Sequence, residues 1–157
     1  MRKVTRGSSL NPHIRQAKKE DLPAILELEK ICFKEETFNK KQIEYLLLKA
    51  RSLFLIAAVD EKIVGSIIIL LRKHILNARI YSLNVHPSYR RIGIGSLLME
   101  RTEAMVSKMG YRNLTLEAGI NNIPAQNLYI SKGFSVERRL EKYYKNGDDA
   151  LRFIKKL

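Results

Sequence analysis

Apolar residues change their spacing several times along the chain, and each change predicts the start of a new element. The alternation over residues 13–17 predicts a short strand. Helical spacing follows over residues 21–32, with Pro23 tolerated in the first turn. A second helix is predicted over residues 39–50, because Gln42 stands three residues after Asn39 and completes a capping-box pattern.

The remainder of the chain returns to β-prone runs that are separated by two further helices. We predict a hairpin of residues 53–59 and 63–71, a strand at 79–86, a helix to about 109, a strand at 113–118, a helix over 124–132 and two closing strands around Asn146 and Gly147. Asn-Gly between β-prone runs is among the strongest short-range signals for a hairpin turn. This order predicts an α/β fold with a mixed sheet and helices on both faces.

Length and composition indicate one domain. With 157 residues, 45% of them hydrophobic and 29% charged, the chain is long enough for one core and too short for two. We expect a flexible basic tail at residues 1–12, which lacks an apolar signal-peptide core, and a single domain over residues 13–157. The longest apolar run, residues 67–71, is far too short to cross a membrane, so we expect no membrane partner and a cytoplasmic location. Cys32 is the only cysteine, which excludes an internal disulfide and a cysteine-built zinc site.

The formal net charge of +13 leaves several partners open. Nucleic acid, an anionic cofactor, an acidic partner such as a ribosome and simple solubility all fit a basic surface. The basic residues are spread along the whole chain, and no aromatic-interleaved or recognition-helix pattern accompanies them. We therefore expect an anionic small molecule as the ligand and regard dedicated nucleic-acid binding as the minor alternative.

A basic glycine turn at the start of the third helix is the clearest candidate site. It follows the strand at residues 79–86 and contains Arg90, Arg91, Gly93 and Gly95. Glycines let the backbone approach a ligand closely, and the first-turn amides of a helix have no acceptor within that helix. The turn is therefore suited to bind phosphate, although a Gly-x-Gly pattern alone is more often only a tight turn.

A second block, residues 116–134, places Glu117 at a strand end, Asn122 five residues later, and an Ala-x-x-Leu-Tyr-x-x-x-Gly-Phe pattern that starts at Ala125. Together with the glycine turn, this block resembles the GNAT superfamily of acetyl-CoA-dependent N-acetyltransferases. Segments 32–38 and 143–151 look most like the ribosomal-protein alanine N-acetyltransferases and the archaeal N-terminal acetyltransferases. The resemblance implies a central, twisted, mixed and mostly antiparallel sheet of about seven strands.

The resemblance also implies acetyl-CoA as co-substrate and no metal. In this superfamily the strand before the glycine turn separates from its neighbour, and its free backbone groups bind the pantetheine arm. The residues in that place are Leu83, Asn84 and Val85. The pyrophosphate site implied by the resemblance consists of Arg90, Arg91, Ile92, Gly93, Ile94, Gly95 and Ser96, with Asn122 as a further coenzyme contact.

Attack of an amine on a thioester needs a proton acceptor and a proton donor. Glu117 matches the family's general base, and Tyr129 matches the general acid near the thioester sulfur. Without the resemblance, a surface strand end for Glu117 and a core ring for Tyr129 are the favoured interpretations. If Glu117 is not the base, Glu29, Glu36 and His86 are the next candidates.

We predict that the acceptor is the α-amino group of a protein, with a ribosomal protein as one candidate. An α-amine has a reference pKa of about 7.7 to 8.0 and a lysine side chain about 10.4, so the α-amine is closer to its reactive neutral form at neutral pH. Phe33 and Glu36, between the first two helices, and Tyr143 and Tyr144, near the chain end, match segments that form the walls of the peptide groove in the related enzymes.

Three other functions stay open. The same scaffold can acetylate a small-molecule amine or a lysine side chain, since fold alone does not fix the acceptor. A non-catalytic acyl-CoA-binding protein is less favoured, because both Glu117 and Tyr129 are present. A nucleic-acid-binding module would show strongly salt-dependent affinity for DNA or RNA and indifference to acetyl-CoA.

Overall fold

Runs of β-branched and aliphatic residues build a seven-stranded sheet in the computed structural model, which describes residues 11–32 and 40–157. The strands are β1 His13–Gln16, β2 Ser52–Val59, β3 Lys62–Arg72, β4 Asn77–Val85, β5 Asn113–Gly119, β6 Ser135–Leu140 and β7 Ala150–Lys156. Their spatial order is β1-β2-β3-β4-β5-β7-β6, and each neighbouring pair is antiparallel except β4 with β5. The predicted tail at residues 1–12 lies outside the described residues, apart from Asn11 and Pro12.

Helices pack against both faces of this sheet. They are α1 Leu22–Cys32, α2 Lys40–Leu48, α3 Ile94–Lys108 and α4 Ile123–Ser131. On one face α1 and α2 form a core with Phe54, Ile56 and Ile68. On the other face α3 and α4 pack on a larger core that includes Leu114 and Phe153. The predicted α/β fold, with helices on both faces of a mostly antiparallel sheet of seven strands, is confirmed.

None of the helices in the described part of the chain is both long enough and apolar enough to cross a lipid bilayer.

Strands β4 and β5 run together only briefly and then separate. Their parallel pairing covers residues 77–79 of β4 and 113–115 of β5. Just beyond this point Tyr81 forms a bulge, because its neighbours Ile80 and Ser82 pair with the adjacent residues Ile69 and Ile68 of β3. The rest of β4 therefore has β3 on one side and an open gap on the side that faces β5.

The Asn146–Gly147 turn differs from the prediction in its surroundings. Gly147 has φ +89° and its amide donates to the Tyr144 carbonyl at 2.9 Å, so the pair does form a turn. However, β6 and β7 end away from it, and the turn lies inside a connection over residues 141–149. The Asp149 carboxylate accepts from the Lys142 amide and from Arg139, which closes this connection into a loop.

Candidate active site

The predicted glycine turn forms the entrance to α3. The helix begins at Ile94 behind Gly93, whose φ of +94° favours glycine. Among the described residues no side chain caps this end of the helix. The first-turn amides of a helix have no intrahelical partner, so these amides point outward with the positive end of the helix dipole. Arg91 also has a positive φ of +64°, and left-handed residues of this kind turn backbone N–H groups toward an anion. The turn therefore has the geometry and the charge of an anion-binding site.

Gly95 keeps space clear between the helix entrance and the end of β4. A methyl group at this position would meet only Val85 Cγ2, at an ordinary contact distance of 3.7 Å. Neither the packing of the protein nor a positive φ requires glycine here. A ligand that runs along β4 and places its phosphate at the helix entrance would explain the missing side chain.

The last residues of β4 turn backbone groups toward the gap. The His86 amide donates to the Val64 carbonyl of β3 at 2.7 Å, and alternate residues of an antiparallel strand point their backbone groups to opposite sides. The backbone groups of Leu83 and Val85 therefore point away from β3. The Val85 carbonyl already accepts from Arg90 Nε at 2.9 Å, so the groups left for a ligand are those of Leu83 and the Val85 amide.

The remaining predicted coenzyme residues surround this region at different depths. Arg91 is exposed, Ile92 and Ser96 are half-buried, and Ile94 is part of the core. Asn122 is exposed and caps α4, because its side-chain oxygen accepts from the Ala125 amide at 3.3 Å. Its amide nitrogen is the group that remains available as a donor to a ligand.

Asn84 turns away from the gap and toward α1. Its Nδ2 donates to Glu29 Oε1 at 2.5 Å and to Ser82 Oγ at 3.2 Å. Asn84 and Glu29 are 5% and 3% exposed, and burial raises the pKa of Glu29 to about 7. A contact of Asn84 with coenzyme stays a prediction, while its contact with Glu29 ties the centre of β4 to α1.

Glu117 lies on the sheet face opposite α3 and is surrounded by donors. Its side chain is 4% exposed, and Oε1 accepts from Arg79 Nε at 2.8 Å and from the Tyr143 hydroxyl at 3.0 Å. Arg152 Nε lies 3.9 Å from Oε2, and Oε2 has no hydrogen-bond partner among the described residues. One carboxylate oxygen is thus held in place, and the other is a buried acceptor to which no described residue donates.

Tyr129 lies on α4, on the other side of the sheet. Its ring meets Phe134 and Phe153 edge to face, with centroid distances of 6.2 and 5.8 Å. Burial raises the pKa of Tyr129, so the phenol keeps its proton at neutral pH. The core that Tyr129 joins includes Leu116 and Ala118, which flank Glu117 in β5, and successive strand residues point to opposite faces. Glu117 and Tyr129 therefore lie on opposite faces of the sheet.

The two predicted groove tyrosines lie next to Glu117. Tyr143 and Tyr144 meet edge to face with centroids 5.1 Å apart, and they are 40% and 38% exposed. The Tyr143 hydroxyl bonds both Glu117 and Arg79. The other predicted groove residues, Phe33 and Glu36, lie outside the described residues.

His86, an alternative proton acceptor, is held in a structural role. It is 2% exposed, and its Nδ1 accepts from the Ser88 amide at 3.0 Å within a short turn. Burial lowers the pKa of His86, and the positive charges of Lys62 and Arg90 lower it further. In the part of the chain that the structure describes, no group of three or more histidines, cysteines and carboxylates is placed to hold a metal ion.

Two arginines beside Glu117 were not predicted from the sequence. Arg79 and Arg152 stand within the predicted strands, where most neighbours are apolar. A charged residue in a buried strand needs a counterion, and that rule is the signal that could have paired these arginines with Glu117.

Comparisons with known proteins identify the family to which this chain belongs. Residues 20–134 match the Acetyltransferase (GNAT) family. An uncharacterized N-acetyltransferase of Methanocaldococcus jannaschii is 30% identical over 144 residues, which cover 91% of this chain and 90% of that protein. An N-alpha-acetyltransferase of Sulfurisphaera tokodaii is 29% identical over 148 residues, which cover 87% and 88% of the two chains. The crystal structure of the ribosomal-protein-S18-alanine N-acetyltransferase from Escherichia coli has a TM-score of 0.84 at 25% identity, and the match covers 93% of this chain and 94% of that one.

Proposed function

The chain belongs to the acetyltransferase (GNAT) family, whose members transfer an acetyl group from acetyl-CoA, and we propose that the acceptor here is the α-amino group of a protein N-terminus. One observation carries this proposal. The buried carboxylate of Glu117 lies on one face of β5, beyond the point where β5 stops pairing with β4, and the protonated phenol of Tyr129 lies on the other face of the sheet. An amine that enters on the side of Glu117 would meet a proton acceptor. A thiolate that leaves on the side of Tyr129 would meet a proton donor.

The coenzyme site in this proposal follows the open edge of β4. The backbone of Leu83 and the Val85 amide bind the extended pantetheine arm, as a sheet edge binds a peptide. The amides around Gly93 and Gly95 then receive the diphosphate at the entrance to α3, and Arg90 and Arg91 add positive charge. The space beside Gly95 supports this path, because the protein alone gives no reason for it.

Glu117 acts as the general base in this mechanism. Hydrogen bonds from Arg79 and Tyr143 hold Oε1 in place, and this fixes the orientation of the carboxylate and therefore the position of Oε2. Oε2 accepts a proton from the incoming ammonium group, directly or through a water molecule, and the neutral nitrogen then attacks the thioester carbonyl carbon. The C–N bond forms as the C–S bond breaks, and the electron pair of the C–S bond leaves on sulfur. The nitrogen then loses its second proton to water, which gives the neutral amide.

Tyr129 acts as the general acid. Its pKa is raised by burial, so the hydroxyl is protonated when the thiolate forms and gives its proton to sulfur. The edge-to-face contacts with Phe134 and Phe153 hold the ring in one orientation. The phenol regains a proton from solvent, and the base releases the one that it took.

Two features support a protein N-terminus as the acceptor. The α-amine is easier to deprotonate than a lysine side chain, which suits a single carboxylate whose other oxygen is already occupied. Tyr143 and Tyr144 expose aromatic surface directly beside Glu117, which suits an extended peptide. Phe33 and Glu36 are proposed as further groove residues from the family resemblance. The relative named N-alpha-acetyltransferase and the structural neighbour that acts on a ribosomal protein agree with this acceptor class, and a ribosomal protein is one candidate target.

An acceptor panel tests the proposal. Purified protein and acetyl-CoA are incubated with peptides with free N-termini, N-blocked peptides that contain lysine, and small primary amines, and products are located by fragment-ion mass spectrometry. We expect acetylation of free N-termini only. Exclusive acetylation of lysine or of the small amines would contradict the proposal that the acceptor is a protein N-terminus.

A further inference from the structure

A small basic cavity lies beside Glu117, on the sheet face opposite α3 and α4. It has a volume of about 180 Å³, smaller than the cavities that enclose drug-sized ligands, and suits a single side chain. Its polar lining consists of Arg72, Asn77, Arg79, Thr115, Glu137 and Arg152. We call this space the arginine cavity.

The arginine cavity has more positive than negative charge. Arg79 and Arg152 share one carboxylate, that of Glu117, and the Nε of Arg152 has no hydrogen-bond partner among the described residues. Arg72 is exposed and forms no ion pair with a described residue. Among the described residues, Glu137 is the only one that brings a carboxylate to the lining. One of the three guanidinium charges is thus uncompensated, and guanidinium groups bind carboxylates by paired hydrogen bonds.

The position of the cavity links it to the acceptor. Arg79 and Arg152 contact Glu117 and also line the cavity, so the proposed base and this space share two side chains. An extended chain advances at most about 3.6 Å per residue, so only the first few side chains after an amine at Glu117 can meet these arginines.

From these contacts we propose that the arginine cavity selects acceptors with an aspartate or glutamate side chain at the second or third residue. This inference rests on the proposed function, because it assumes a polypeptide whose amine lies at Glu117. The carboxylate of the acceptor binds between Arg72 and the outward edges of Arg79 and Arg152, while the Glu117 contacts of the latter two stay in place.

Peptide pairs that differ only as Asp or Asn at the second or third residue provide the test. Dissociation constants are measured with CoA present, so that binding is read without turnover, and kcat/KM is measured separately with acetyl-CoA. For one of these positions we expect about tenfold tighter binding and a higher kcat/KM for the Asp peptide, and a weaker preference at high salt. Arg72→Gln should reduce the preference to within about twofold, because it removes one of the three guanidinium groups proposed to bind the acceptor carboxylate.

Lys73→Gln is the matched control, since Lys73 is the exposed neighbour of Arg72 and does not line the cavity. This variant should keep the Asp preference. Equal affinity of the wild-type protein for the Asp and Asn members of both pairs, or a preference that survives Arg72→Gln, would overturn the inference. A retained Asp preference in binding without acetylation of any peptide would instead overturn the proposed function alone, and a protein that binds none of the peptides would overturn both.

Discussion

Arg79 of β4 donates from Nε to Oε1 of Glu117 in β5 at 2.8 Å, just where the two strands stop pairing. Their side chains are 20% and 4% exposed, so the ion pair bridges the start of the gap in a largely desolvated setting. The bond holds the strand that carries the base against the strand proposed to bind coenzyme. The guanidinium group of Arg79 therefore links the position of the Glu117 carboxylate to the separation between β4 and β5.

Removal of Arg79 should destabilise the protein and slow the reaction. Arg79→Met leaves the buried Glu117 with Arg152 as its nearest cation, 3.9 Å away, and we expect a loss of roughly 3 kcal/mol in the free energy of unfolding. Urea unfolding measures this loss. In the double variant with Glu117→Gln most of the lost stability should return, because no charge is then left unpaired, and purely additive losses would contradict the account.

The two glycines of the turn should respond differently to alanine. Gly93→Ala forces a side chain into a φ of +94° and should cost about 1 kcal/mol or more in stability. Gly95→Ala should not lower stability, yet it should weaken acetyl-CoA binding by about tenfold or more, because its methyl group occupies the space proposed for the diphosphate. Thermal unfolding and calorimetric titration separate the two effects.

Gly110→Ala is the control for backbone strain, since Gly110 has φ +93° and open space like Gly93 but follows the opposite end of α3. It should lose stability and keep its coenzyme affinity. Unchanged affinity in Gly95→Ala would place the diphosphate elsewhere.

Tyr129→Phe tests the proton donor. The ring contacts with Phe134 and Phe153 remain, so we expect little change in stability or in acetyl-CoA affinity, while kcat falls by about 100-fold. Tyr111→Phe is the control, because Tyr111 is a buried tyrosine that lies just before β5 and has no proposed catalytic role. This variant should leave kcat unchanged. Wild-type turnover by Tyr129→Phe would assign protonation of the thiolate to another group.

Buried Glu29 should make stability depend on pH. Its pKa is about 7 in the folded protein and 4.5 as a model group, so the folded state binds more protons between these values and stability falls as pH rises through this window. The loss is complete above pH 7 and amounts to about 3 kcal/mol. Glu29→Gln should abolish this fall, being more stable than the wild-type protein at pH 8 and similar to it at pH 4.5.

Unfolding by urea at several pH values measures this difference. Glu27→Gln is the matched control, because Glu27 is exposed on the same helix and should leave the pH dependence intact. An unchanged slope in Glu29→Gln would show that Glu29 is ionised in the fold.

Local sequence patterns predicted the elements well. Helical and alternating spacing placed α1, α3 and β5 to within a few residues, and the glycine turn gave the entrance to α3, because each depends on neighbours in the chain. The connection at residues 141–149 was not predictable in this way, since Asp149 closes it through side-chain contacts with Lys142 and Arg139.

The site was less predictable for the same physical reason. The family resemblance named Glu117, Tyr129 and Tyr143, but not the contact of Arg79 with Glu117 across 38 residues. The inward turn of Asn84 depends on Glu29, which α1 brings to β4 from 55 residues away. Pairings of this kind arise only when the sheet has formed, and no local pattern encodes them.

A single peptide that contains both a free α-amine and an internal lysine tests the central claim most directly. It is incubated with acetyl-CoA and either the wild-type protein or Glu117→Gln, and the acetylated position and initial rate are read by fragment-ion mass spectrometry. We predict acetylation of the α-amine alone, at a rate that falls by about 100-fold in Glu117→Gln while acetyl-CoA affinity is retained. Acetylation of the lysine, or an unchanged rate in Glu117→Gln, would contradict the account.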